Sequence, residues 1–184
     1  MDESNTEAPQ PAPLPAPDSL LVGSDARGWF ITARGGVRAT LCYPLRETLL
    51  ARLEESSDIP AVYVDLALCT YMDSTFIGLL VAMDRRLQKG SGGRLHVMQP
   101  SAECLDLFRQ LGLQDFLVID QQPTRPPDGM RELAASPVRP GADFVLHAHE
   151  ALMATSDEAR KKFGLLHDEL ERKLRGGKPR EDTR

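Results

Sequence analysis

Asp73, Ser74 and Thr75 stand side by side in the string Tyr71-Met72-Asp73-Ser74-Thr75-Phe76, where an apolar alternation gives way to helical spacing. A carboxylate followed by hydroxyls at such a switch has the chemistry of a helix start. Asp73 is the natural N-cap, and the turn after it presents unpaired backbone N–H groups and the positive end of the helix dipole. A hydroxyl projecting from that turn can carry a phosphoryl group, because a helix N-terminus accommodates its roughly 1.5 to 2 negative charges and three acceptor oxygens. Ser74 and Thr75 are the two hydroxyls so placed, though Asp-Ser-Thr by itself is also an ordinary helix-capping string. Asp73 reads as the cap or as an acceptor for a partner's side chain, and Phe76 as an interface anchor or a core residue.

The other patterns that carry catalysis are missing from the sequence. It holds no G-x-S-x-G, no G-x-x-x-x-G-K-[ST] and no G-x-G-x-x-G. Gly90-Ser91-Gly92-Gly93 follows a helical pattern rather than a strand, the wrong context for cradling phosphate, and reads as a turn. His147 and His149 are two apart on a helical segment, which sends their side chains in different directions and reads as solvated or interfacial rather than metal-binding. His96 faces away from Leu95 and Val97 along a strand, and His167 lies in a charged stretch. Cys42, Cys69 and Cys104 are widely spaced among apolar residues and read as buried thiols in a reducing compartment. The expectation is a protein without catalysis, metal or cofactor.

The elements that position Ser74 follow from periodicity. Val62, Val64, Leu66 and Leu68 alternate, as a strand requires, whereas Phe76, Leu79, Leu80, Met83 and Leu87 recur at helical spacing. Gly90 to Gly93 turns the chain, Arg94 to Met98 forms a second short strand, and Pro100-Ser101 opens a helix that Gly112 closes. The result is a β-α-β-α unit whose strands are parallel neighbours crossed right-handedly.

This segment resembles a STAS domain of the anti-sigma factor antagonist family. The resemblance rests on a strand, then Met72-Asp73-Ser74-Thr75-Phe76-Ile77-Gly78, a long helix, Gly92-Gly93-Arg94-Leu95, and Leu111-Gly112-Leu113, in that order. Where the family has glycine two residues after the serine, this chain has Phe76, and it keeps Gly78. The resemblance implies an α/β fold with a small mixed sheet and helices packed on it. It implies that Ser74 is phosphorylated by a partner kinase that is also an anti-sigma factor, and that a phosphatase restores it. Asp73, Thr75 and Phe76 would flank the partner-binding surface. The alternative is a STAS adapter subunit of a larger assembly, stressosome-like or associated with a lipid-transport ATPase.

The whole chain, 184 residues with net charge −5, is long enough for one domain with extensions. Its acidity argues against nucleic acid or an anionic membrane surface as partner. No run of about 18 apolar residues suggests a membrane span, and a cytoplasmic location is expected. Residues 1–18, with proline at every second position from Pro9 to Pro17, read as a disordered tail. Ser19 to Val22 and Trp29 to Ala33 read as a hairpin that Arg34-Gly35-Gly36 ends, followed by a helix starting at Tyr43-Pro44 with Leu45, Leu49, Leu50 and Leu53 on one stripe and ending near Ser56-Ser57-Asp58. Phe116 to Ile119 is a candidate last strand, which sets the STAS domain at 19–120. Residues 121–141, rich in proline, read as a linker that no packed element would carry. Residues 142–174 read as a helical extension of two helices, the second starting at the capping-box pair Thr155 and Glu158, and 175–184 as a disordered tail. The two helices are too short to hold alone, so they must cover the domain, a second copy of the chain or a partner.

Overall fold

The structure is a computed structural model and describes residues 17–55, 59–137 and 140–176. The expected tail over 1–16, the helix end at Ser56-Ser57-Asp58, the expected tail over 177–184 and the side chains of Leu50 and Leu53 lie outside the described residues. The strands are β1 (Ser19–Asp25), β2 (Gly28–Val37), β3 (Ala61–Met72), β4 (Arg94–Met98), β5 (Val118–Asp120) and β6 (Arg131–Leu133). The helices are α1 (Ala39–Glu55), α2 (Ser74–Lys89), α3 (Ala102–Gln110), α4 (Ala142–Met153) and α5 (Asp157–Gly176). The strands form one mixed sheet in the order β5-β4-β3-β2-β1-β6. From β2 to β5 all pairings are parallel, and β1 pairs antiparallel with both β2 and β6.

Register explains which side of the sheet the helices cover. Val22, Ile31, Val64, Val97 and Ile119 lie opposite one another across five strands, and the first four are buried. This row belongs to the core that also takes Leu45 and Leu49 of α1 and Phe76, Leu80, Met83 and Leu87 of α2. One residue along each strand, the opposite row carries Phe30, Tyr63 and His96, whose rings stack at 4.8 and 5.2 Å between centroids. His96 therefore faces away from Leu95 and Val97, as its place in the alternation requires.

Three expectations are corrected. The hairpin strand does not end at Arg34-Gly35-Gly36: β2 runs on to Val37 through two register shifts, and the Asp18 carboxylate accepts a hydrogen bond from Gly36 N–H. Helix α1 begins at Ala39 rather than at Tyr43-Pro44, so Pro44 lies inside it. Proline lacks the N–H that would bond the carbonyl of Thr40, and the N–H of Ser136 donates to that carbonyl instead, at 3.1 Å. Third, the stretch expected as an unpacked linker adds β6 to the sheet edge and lies close to the aromatic side. Met130 and Pro127 crowd Gly23, Thr32 Oγ1 donates to Met130 Sδ at 3.9 Å, and Arg27, seated over the Phe30 ring, donates to the Arg125 carbonyl. Proline excludes a residue from donating to a sheet ladder but not from lying against apolar side chains.

The two C-terminal helices also find cover. Helix α4 packs on α2, and α5 packs on α4. Of the three covers open to them, the domain itself takes α4. Helix α5 starts one residue later than the capping-box reading, since Ser156 Oγ accepts from Ala159 N–H while Thr155 Oγ1 donates back to Leu152.

Candidate functional site

Only Asp73 separates β3 from α2, so the strand delivers the chain directly into the helix start. Asp73 adopts an extended N-cap conformation, φ −89° and ψ 169°, and its Oδ1 accepts from Phe76 N–H at 2.9 Å. Its Oδ2 accepts from Ala39 N–H, the first residue of α1, also at 2.9 Å. One carboxylate thus caps two helices, and its own N–H is held by the Val37 carbonyl. With both oxygens committed to backbone donors, Asp73 serves as the cap; the alternative role as acceptor for a partner's side chain would break one of these bonds.

Ser74 is the first helical residue and needs no capping bond of its own. It is half-buried, and its Oγ lies 2.8 Å from Nε2 of His149. His149 reaches it because α4 lies flush on α2 at Gly78: a Cβ added there would fall 2.2 Å from the Ala148 carbonyl oxygen. Only glycine permits this approach. The imidazole is 1% exposed and stacks on Phe163 of α5 at 5.1 Å. Its Nδ1 is buried with no hydrogen-bond partner. Burial, the largest effect, pushes the His149 imidazole below the ordinary histidine range; Asp73 opposes this and His167 adds to it.

A serine hydroxyl on an imidazole nitrogen is the first half of a nucleophile and base pair. Among the described residues no group orients the His149 Nδ1. Two open grooves, of about 700 Å³ beside Leu79, Met83 and Ala151 and of about 800 Å³ beside Leu68 and Cys69, are lined by neither Ser74 nor His149.

The remaining expected site residues turn inward. Phe76 is 0% exposed and Thr75 3% exposed, because α2 directs these positions onto the sheet. Phe76 is thus a core residue and not an exposed anchor. His147 is exposed and bonds the Asp143 carbonyl of its own helix, so the two histidines do part ways. Cys42, Cys69 and Cys104 are free and buried. Among the described residues no group of three or more His, Cys, Asp or Glu is placed to hold a metal ion, and no helix is long and apolar enough to cross a membrane.

Of two residues of consequence, the sequence reading left His149 as solvated or interfacial and did not single out Asp84 at all. His149 lies four residues after Val145 and three before Leu152, on the buried stripe of α4, and a histidine on such a stripe is the signal. Asp84, 0% exposed, sits between Leu80 and Leu87 on the buried stripe of α2. It accepts from Arg94 Nε and from Leu95 N–H, fastening α2 to β4.

A family described as Mlab, STAS domain, matches residues 22–119, just over half of the chain. Among solved structures, the anti-sigma factor antagonist SpoIIAA in its unphosphorylated form is similar at TM-score 0.50 and 18% identity, over 56% of this chain and 88% of that one. An anti-sigma factor antagonist from Mycobacterium paratuberculosis is similar at TM-score 0.50 and 22% identity, over 59% of this chain and 92% of that one. A search of curated proteins found no match. At these identities the solved structures establish the fold. Because that family model spans more than half of the chain, the chain belongs to the STAS domain family.

Proposed function

We propose that this protein is a non-catalytic regulatory binding module, an anti-sigma factor antagonist whose affinity for its partner is set by phosphorylation of Ser74. One observation carries the reading. Asp73 takes over the capping of α2 completely, so the adjacent Ser74 hydroxyl can be modified without the helix losing its cap. A phosphate there gains the helix N-terminus and meets the Asp73 charge, which changes the surface a partner sees while leaving the sheet untouched. The implied partners are proteins: a serine kinase that is itself an anti-sigma factor, and a phosphatase. The protein uses no ATP, binds no nucleic acid, and works in the cytoplasm. Asp73 shapes the docking surface from beneath. The test is intact mass and site mapping on protein recovered from its native cells, with and without phosphatase. A single removable phosphate on Ser74 supports the proposal; an unmodified Ser74 under every growth condition tried counts against it.

The second reading is a fixed adapter subunit in a larger assembly. It is favoured by one feature, the covering of Ser74 by His149. Helix α5 adds a candidate contact for self-association, since Leu165 is 86% exposed and Leu166 and Leu174 are also exposed. Light scattering on the full chain and on Leu165→Glu tests it: loss of a dimer in the variant supports self-association through α5, and a monomeric parent ends it.

A further inference from the structure

We propose that the α4–α5 pair is a displaceable cover over the Ser74 face, and that a phosphate on Ser74 and a seated α4 exclude each other. The inference rests on the reading of Ser74 as the acceptor and adds how that site is controlled. With Nε2 of His149 at 2.8 Å from Oγ, a phosphoryl group on that oxygen occupies space the imidazole now fills. It also brings its charge into a setting where burial disfavours the charged form of His149, beside the Asp73 carboxylate that caps α2. Exclusion is mutual by linkage: whatever unseats α4 exposes the hydroxyl, and whatever phosphorylates the hydroxyl keeps α4 off. A kinase or partner approaching the start of α2 therefore competes with a segment of this same chain.

The seat bears the marks of a reversible contact. Seating strands His149 Nδ1 without a partner, which offsets part of the apolar gain. Gly141 at the N-cap of α4 provides no side-chain cap, so the first turn of that helix lacks help that Asp73 and Ser101 give to α2 and α3. Among the described residues, the polar ties to the domain besides the Ser74–His149 bond lie beyond the end of α4, from Arg85 to the Ala154 carbonyl at 2.7 Å and from Ser156 Oγ to the Leu111 carbonyl at 2.7 Å. The apolar half of the seat is Phe144 and Leu152, both buried.

Two measurements on the full chain decide it without needing a kinase. In the first, phosphoserine is installed at position 74 by genetic encoding, and amide exchange is read by peptide. Exchange across α4 should accelerate by roughly 5- to 150-fold, the range usual for coupled sites, while β3 and β4 keep their protection; unchanged α4 protection overturns the proposal. In the second, Ser74→Cys protein is labelled with N-ethylmaleimide, alone and combined with Leu152→Ala, and position 74 is followed by mass spectrometry. Slow labelling that Leu152→Ala speeds supports a cover. Equal rates in the two proteins overturn it, fast ones because the face is open and slow ones because α4 is a fixed layer. Absence of phosphate in cells would sink the acceptor reading and leave both of these results standing.

Discussion

Gly78→Ala separates the stability of the domain from the seating of α4. The added Cβ falls 2.2, 2.6 and 2.9 Å from the O, C and Cα of Ala148, whereas carbon and oxygen ordinarily approach no closer than about 3.3 Å. All three are backbone atoms, so α4 must retreat by about 1 Å. A gap of about 0.5 to 1 Å forfeits a quarter to a half of the dispersion attraction across it. Phe144, Leu146 and Leu152 are the large buried side chains of α4, each worth about 1.5 to 3 kcal/mol, so the seat weakens by roughly 2 kcal/mol. Within α2 the same change is favourable by about 1 kcal/mol, because alanine is the better helix former. Peptide-resolved amide exchange and denaturant unfolding followed by the fluorescence of Trp29, the single tryptophan, read the two effects separately. Exchange in α4 should rise by roughly 30-fold, which is what about 2 kcal/mol implies, with the Trp29 midpoint unchanged or higher. Unchanged α4 exchange would refute the close approach as the site of the seat, and so would a fallen Trp29 midpoint with α4 still protected.

Other expectations follow from single residues. Because burial lowers the His149 pKa, the unfolded or unseated histidine, near 6.5, binds a proton more readily than the seated one. The seat is therefore at full strength above that pH and weakens as pH falls below it, with Asp73 moderating the loss and His167 adding to it; α4 exchange compared at neutral and mildly acid pH should show this, and His149→Gln should abolish it. Leu80→Ala, at a wholly buried position of α2, should cost about 2 to 5 kcal/mol in denaturant unfolding, and a loss under about 0.5 kcal/mol would mean the helix face is wrong. Asp84→Ala strands Leu95 N–H and takes the carboxylate from Arg94 Nε and should cost about 1 to 3 kcal/mol, whereas an unaffected midpoint would remove Asp84 from the frame. Ser74→Ala deletes only the bond to His149, so the Trp29 midpoint should hold while α4 loosens by about 1 kcal/mol; a collapse of the whole fold would make Ser74 a capping residue after all.

Local chemistry was legible and long-range contact was not. The change from alternation to helical spacing at Asp73, the cap itself, and the closing turn at Gly112, φ +64°, are written in adjacent residues. The second half of the Asp73 cap is not, since Ala39 lies 34 residues away and its N–H is orphaned only once α1 is seen to start there. Pro44 misplaced that start, because a proline one turn in is compatible with a helix when another donor, here Ser136, serves the freed carbonyl. The prolines of 121–141 hid the one short piece of ladder there, β6 at Arg131–Leu133, because a three-residue edge strand between prolines leaves little pattern, and they are silent on Met130 lying against Thr32. Amphipathic stripes in the C-terminal helices showed that cover was needed without saying where, and Gly78, which admits α4, is indistinguishable in sequence from any other helical glycine. Leu80, Met83 and Leu87 announced their face, yet Asp84 among them is intelligible only when Arg94 and Leu95 are seen beside it.

The central claim is that the state of Ser74 sets partner affinity. The direct measurement is calorimetry of the partner recovered from native lysate against three full-length proteins: the parent, Ser74→Ala, and the protein carrying phosphoserine at 74. The account predicts that parent and Ser74→Ala bind with equal or slightly favoured affinity in the variant, and that phosphoserine weakens binding by at least about tenfold, as a doubly charged group at a docking surface does. Equal affinity for all three would contradict it.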